Sequence, residues 1–129
     1  MSINVVLAVG VDSWLLTAHS ALWRSDGYIV ISVNSLKEAI DHFRTGDFDL
    51  VLLGHAIAVE EKESLTLLIR AAGSRTPILC IADHSGNREP FADATVTNDS
   101  SALLRGMGEL LARESQLRAV QTRTFRNAT

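Results

Sequence analysis

The feature that most constrains this chain is a series of short runs that are apolar on both faces, separated by stretches with helical spacing. Asn4-Val5-Val6-Leu7-Ala8-Val9 is one such run, and Asp49-Leu50-Val51-Leu52-Leu53 is wholly apolar after its first residue. A strand with no polar face belongs inside a parallel sheet that helices cover on both sides. Tyr28 to Val33 is a β-branched strand following Gly27, Ile78 to Ala82 is a strand opened by Thr76-Pro77, and Ala94 to Thr97 is a weaker fifth.

The intervening segments have the period of helices. Asp12 or Ser13 caps a helix running to about Ser25. Ser35 and Glu38 form a capping box ahead of Leu36, Ala39, Ile40 and Phe43, and Gly46 stops that helix. A third helix from about Glu60 to Ala72 begins with Glu60, Glu61 and Glu63, which complement its dipole; Leu65, Leu68, Ile69 and Ala72 form its buried stripe, and Gly73 closes it. A last helix starts near Ser100 or Ser101 and turns Leu103, Leu104, Met107, Leu110 and Leu111 to the core. Trp14 and Trp23 lie about 180° apart on the first helix, so at least one is expected to be partly exposed. Strand–helix units in this succession imply an α/β fold in three layers, a parallel sheet wound in right-handed crossovers. Ligands of such folds sit beyond the carboxyl ends of the strands.

Composition narrows the function classes. The 129 residues are 47% hydrophobic and 21% charged, with a net charge of −3, which suits one globular domain and gives no overall footprint for nucleic acid. No uninterrupted apolar run exceeds the five residues of Val5 to Val9, and no signal peptide or membrane span is expected. The single cysteine, Cys80, excludes an internal disulfide and fits a cytoplasmic location, as a buried thiol within a strand. Basic charge gathers at the end: Ala112 to Thr129 holds Arg113, Arg118, Arg123 and Arg126 against Glu114. Thr122 to Thr129 has little apolar periodicity and is expected to fray.

The order and spacing of Val5 to Val9, Gly27-Tyr28, Asp47-Phe48-Asp49-Leu50-Val51-Leu52-Leu53 and Thr76-Pro77-Ile78-Leu79 resemble the receiver domain of bacterial two-component response regulators. The resemblance implies a flavodoxin-like (CheY-like) doubly wound sheet of five parallel strands in the order 2-1-3-4-5. It places a receiver-like domain at residues 1–112 and leaves 113–129 as a basic helical extension and flexible tail. Between the fourth and fifth strands, Asp83 to Ala94 is short and holds Gly86 and Pro90, so the helix usual there is expected to be shortened or missing.

Receivers accept a phosphoryl group on an aspartate ending the third strand, beside Mg²⁺ held by two acids after the first. A Ser or Thr ending the fourth strand and a Lys ending the fifth contact the phosphoryl oxygens. Cation and lysine offset the negative charge of those oxygens. Carried onto this sequence, the phosphoacceptor position is Gly54, the acid pair is Gly10 and Val11, the hydroxyl position is Ala82 and the lysine position is Asn98. None of these side chains performs the family's chemistry. The resemblance therefore implies a pseudo-receiver: not an enzyme, without cofactor or metal, binding a protein partner in a phosphorelay. That partner would be a histidine kinase, another response regulator or an output domain; a membrane or nucleic-acid partner is not expected.

A second reading uses the same rim differently. Asp12, His55, Asp83 and His84 follow the first, third and fourth strands, and two histidines with two carboxylates suit a divalent transition metal or a small ligand. These residues lack the close spacing of a metal motif. No glycine-rich phosphate loop accompanies Gly10, and no Gly-x-Ser-x-Gly elbow occurs.

Overall fold

The computed structural model describes residues 4–11, 13–18, 20–82, 91–97 and 99–127. Its strands are β1 (Asn4–Val9), β2 (Tyr28–Val33), β3 (Leu50–Leu53), β4 (Ile78–Ile81) and β5 (Ala94–Val96). Its helices are α1 (Ser13–Ala18), α2 (Ser20–Ser25), α3 (Leu36–Thr45), α4 (Val59–Ala71) and α5 (Ser100–Asn127). The five strands form one sheet in the order β2-β1-β3-β4-β5, and every pairing is parallel. This is the doubly wound three-layer fold expected from the sequence.

Side-chain alternation along the strands divides the core in two. Val6, Ala8, Leu50, Leu52, Leu79 and Ile81 point to one face, where Leu15, Trp23, Leu103, Met107 and Leu110 cover them from α1, α2 and α5. Leu7, Val9, Val51, Leu53, Ile78 and Cys80 point to the other, beneath Ala39 of α3 and Leu65 and Ile69 of α4. Both layers exclude water from the middle strands, which accounts for the unbroken apolar runs of β1 and β3.

Two aspartates fasten the amino-terminal edge of the sheet in the same way. Asp49, just before β3, accepts from the Val5 amide through Oδ2 (2.8 Å), while its own amide donates to the Val5 carbonyl (2.8 Å). Asp93, just before β5, accepts from Ile78 N through Oδ2 (2.7 Å) and returns its amide to the Ile78 carbonyl (2.9 Å). Arg70 joins the second clamp, donating to Asp93 Oδ2 (2.9 Å) and to the carbonyls of Ser74 (3.1 Å) and Thr76 (2.8 Å).

Several local expectations are met. Ser35 caps α3 by accepting from Glu38 N, Gly27 and Gly73 take positive φ values of 83° and 85°, and Cys80 is buried. Trp23 is buried and Trp14 is 57% exposed. Two expectations are corrected. The buried stripe of α4 is Lys62, Leu65, Thr66 and Ile69, whereas Leu68 is half exposed and Ala72 is exposed. The helix sits rotated so that Lys62 and Thr66 lie beneath it and Leu68 turns toward α3, beside a groove of about 210 Å³ lined by Ile40, Phe43, Arg44 and Ala72. The carboxyl-terminal segment is helical through Asn127 rather than frayed from Thr122. A helix nucleated against the sheet by Leu103, Met107 and Leu110 propagates at little cost through a sequence without Gly or Pro after Gly108. The segment 83–90, where the helix is expected to be shortened or missing, lies outside the described residues.

Candidate functional site

The carboxyl ends of β1 and β3 bring Gly10 and Gly54 together. Gly54 donates to the Val9 carbonyl (2.9 Å), and Gly10 donates to the Val33 carbonyl of β2 (2.9 Å), which extends both parallel pairings of β1 one residue past the strands. Gly10 then adopts φ +63°, the left-handed region that favours glycine. Val11 follows it into the core, only 6% exposed, and packs in the same cluster as Leu15 and Leu52.

This path closes the space above β3. A Cβ on Gly54 would run into the carbonyl oxygen of Gly10, would lie 2.5 Å from the Gly10 carbonyl carbon and 3.0 Å from Val11 N. Those atoms are backbone, so no rotamer change relieves the overlap. On the opposite side, a Cβ on Gly10 would stand 2.5 Å and 2.6 Å from Cγ1 and Cδ1 of Ile57. Ile57 is placed by a turn in which its amide donates to the Gly54 carbonyl (3.4 Å). The adjacent cavity is about 20 Å³ and is lined by Val9, Asn34, Leu53, Ile57, Glu61 and Lys62. That is room for about one water.

Of the degenerate positions carried over from the resemblance, Gly10, Val11 and Gly54 converge at this point. Ala82 directly follows β4 as a buried residue whose amide donates to the Val96 carbonyl (2.7 Å), so it continues the sheet's hydrogen bonding rather than offering a donor to a ligand. Asn98 lies outside the described residues. Of the alternative ligand rim, His55 is half-buried directly after Gly54, while Asp12, Asp83 and His84 lie outside the described residues. Among the described residues no group of three or more His, Cys, Asp and Glu side chains is placed to hold a metal ion.

Two participants are not evident from sequence reasoning. Ile57 fills the volume beside Gly10, and its only signal is a bulky apolar side chain in the short segment between Gly54 and the acidic start of α4. Lys62 is 4% exposed although charged, and the acidic residues around it disguise its position on the buried stripe.

Comparison with solved structures establishes the fold. The signal receiver domain of a LuxO repressor protein from Vibrio parahaemolyticus superposes with a TM-score of 0.76 at 15% identity, covering 92% of this chain and 97% of that one. The receiver domain of a sensor histidine kinase from Pseudomonas aeruginosa, solved with magnesium in its active-site cleft, gives 0.69 at 23% identity, covering 85% and 98%. A chain from the complex of the histidine kinase ThkA with the response regulator TrrA gives 0.67 at 19% identity, covering 84% and 99%. The chain thus has the receiver (CheY-like) fold along nearly the whole length of these domains. No sequence-family model and no curated protein sequence matches it. Among the described residues, no helix is long and apolar enough to cross a membrane.

Proposed function

We propose that this chain is a pseudo-receiver: a regulatory module of cytoplasmic two-component signalling that binds protein partners without being phosphorylated. The observation that carries the reading is the collapse of the Gly10–Val11 backbone onto Gly54. An aspartyl phosphate needs a side chain at the end of β3, a metal beside it and donors around it. Here the first atom of such a side chain would meet a backbone carbonyl. Gly10 and Val11 bring no carboxylate, and Ala82 brings no hydroxyl.

A true receiver switches because its phosphorylated state binds partners differently. Without that ligand, the occupancy of this module follows partner concentration alone. Partners chemically suited to a receiver-shaped surface are a histidine kinase, a second response regulator or an output domain. The kinase–regulator complex among the structural neighbours supports the first of these. Exposed apolar side chains at Trp14 and Leu67 supply surface for such contacts.

The test has two arms. The purified chain is incubated with Mg²⁺ and acetyl phosphate and weighed intact, and no phosphoryl adduct is expected. The same chain, immobilised, is offered candidate kinases and regulators with and without the phosphodonor. Binding that is equal in both conditions supports the reading. An adduct, or binding that requires the donor, overturns it.

A further inference from the structure

We propose that two copies of this chain pair through the outer edges of β2, antiparallel, about a two-fold axis at Val30. This inference is independent of what occupies the carboxyl edge. β2 is an outer strand, paired on one side only and matched residue for residue with β1 from Asn4↔Tyr28 to Val9↔Val33. It therefore has no bulge. Its sequence, Tyr28-Ile29-Val30-Ile31-Ser32-Val33, has no charge and no proline. Bulges, lysines and prolines are the devices that protect edge strands from pairing, and this edge lacks all of them. Ile29 is 50% exposed on it.

The register follows from the hydrogen bonds already made. The carbonyl of Gly27 accepts from Asn4 N (2.8 Å) and that of Val33 from Gly10 N (2.9 Å), so both face β1. Backbone groups alternate sides along a strand, which turns Ile29 and Ile31 toward β1 as well and leaves the N–H and C=O of Tyr28, Val30 and Ser32 facing outward. In an antiparallel pair, outward-facing residues exchange both bonds only when they stand directly opposite. An axis at Val30 opposes Val30 with Val30 and Tyr28 with Ser32, so every outward group finds a partner. Moving the axis by one residue, to Ile29 or Ile31, sets Ser32 opposite Asp26, or Tyr28 opposite Asn34, beyond the strand.

Side chains agree with this register. Ile29-Val30-Ile31 reads the same in both directions, so Ile29 of each copy stands beside Ile31 of the other, a favourable β-branched cross-strand pair. Exposed Asp26, ahead of β2 in one copy, comes to the end where exposed Lys37 opens α3 in the other, and the charges are opposite. β5, at the far edge, has only three residues, so the contact closes as a symmetric dimer rather than extending. Six residues make a strand about 20 Å long, and such a contact falls below the ~1,200 Å² of a standard stable interface. Association is therefore concentration-dependent.

Sedimentation velocity across a wide concentration series reads the pairing. The expected result is a shift from the monomer mass toward twice that value, weakened about tenfold or more by Ile29→Lys, which places a gatekeeper charge on an exposed position. Circular dichroism of Ile29→Lys verifies that its fold is intact. The axis is tested by oxidation of cysteine variants. Val30→Cys places two Cα atoms about 5.5 Å apart, within disulfide reach, whereas two copies of Ser32→Cys are separated by more than about 10 Å. A disulfide dimer with Val30→Cys and none with Ser32→Cys supports the axis. A monomer at all concentrations, a dimer indifferent to Ile29→Lys, or equal cross-linking by both cysteines overturns the proposal.

Discussion

The carbonyl oxygen of Gly10 occupies the place where a side chain at position 54 would begin. The two residues lie at the ends of adjacent strands, β1 and β3, and their contact is backbone against backbone. On the proposed pseudo-receiver reading, the missing carboxylate is accompanied by a change of shape, because the Gly10 backbone takes up the space beyond Gly54.

Substitution at Gly54 tests that contact directly. Gly54→Ala forces the Gly10 loop to move and is expected to destabilise the protein by roughly 1–3 kcal/mol, the usual range for overpacking a tight interior. Gly54→Asp is expected to cost at least as much and to gain no Mg²⁺-dependent phosphoryl uptake. Denaturant melts and intact-mass measurement check both, and a Gly54→Asp chain of undiminished stability contradicts the contact.

Gly10 and Ile57 form a coupled pair. Gly10→Ala suffers both from φ +63° and from the 2.5 Å approach of Ile57 Cγ1. Ile57→Ala removes the approach but leaves the strained backbone, so the double variant is expected to be more stable than the sum of the single losses by about 0.5–3 kcal/mol. A double-mutant cycle in urea measures this coupling, and strict additivity counts against it.

Asp93 is expected to matter more for the backbone than for its ion pair. Its Oδ2 accepts from Ile78 N, which belongs to a fully buried residue, whereas the Arg70 contact is about one-third exposed on each side. Asp93→Ala leaves that amide without its acceptor and should cost about 1–3 kcal/mol. Loss of the partly solvated charge pair adds little to this. Arg70→Met, which spares the Ile78 bond, should cost less, and thermal melts of the two variants rank them.

Tyr28 gives the fold an alkaline limit. Burial, and secondly the nearby carboxylate of Asp26, raise its phenol above the ordinary 10.0. The unfolded chain ionises first, so the stability contributed by the neutral phenol is complete below pH 10.0 and is lost as the pH rises through the folded-state value. Tyr28 is the only tyrosine, so phenolate absorbance in the near ultraviolet reports it alone. Its midpoint is expected above 10.0, and Tyr28→Phe should resist alkaline unfolding better than the native chain.

Much of the fold is legible in the sequence because strand order and burial follow from period and polarity. The unbroken apolar runs of β1 and β3 mark the centre of the sheet, and Gly27 and Gly73 mark turns that need positive φ. What pattern reading misses depends on rotation and on neighbours. On α4, Leu68 and Leu65 are equally apolar, and only the lie of the helix against β3 and β4 selects Leu65 for the core and buries Lys62. The far end of α5 lacks an apolar stripe, yet it continues as helix because nucleation is supplied upstream. At the site, Gly10, Val11, Gly54 and Ala82 are readable as missing chemistry. That Ile57 and the Gly10 carbonyl fill the gap is a three-dimensional fact with no sequence period behind it.

The most direct measurement is a heteronuclear NMR titration of the labelled chain with Mg²⁺ and beryllium fluoride, a mimic of the phosphoryl group. With the end of β3 sealed by Gly10 and Ile57, the amides of Gly10, Val11, Gly54 and Ala82 are expected to keep their shifts at every concentration. Saturable shifts clustered on those amides would show an open, ligand-competent pocket and contradict the account.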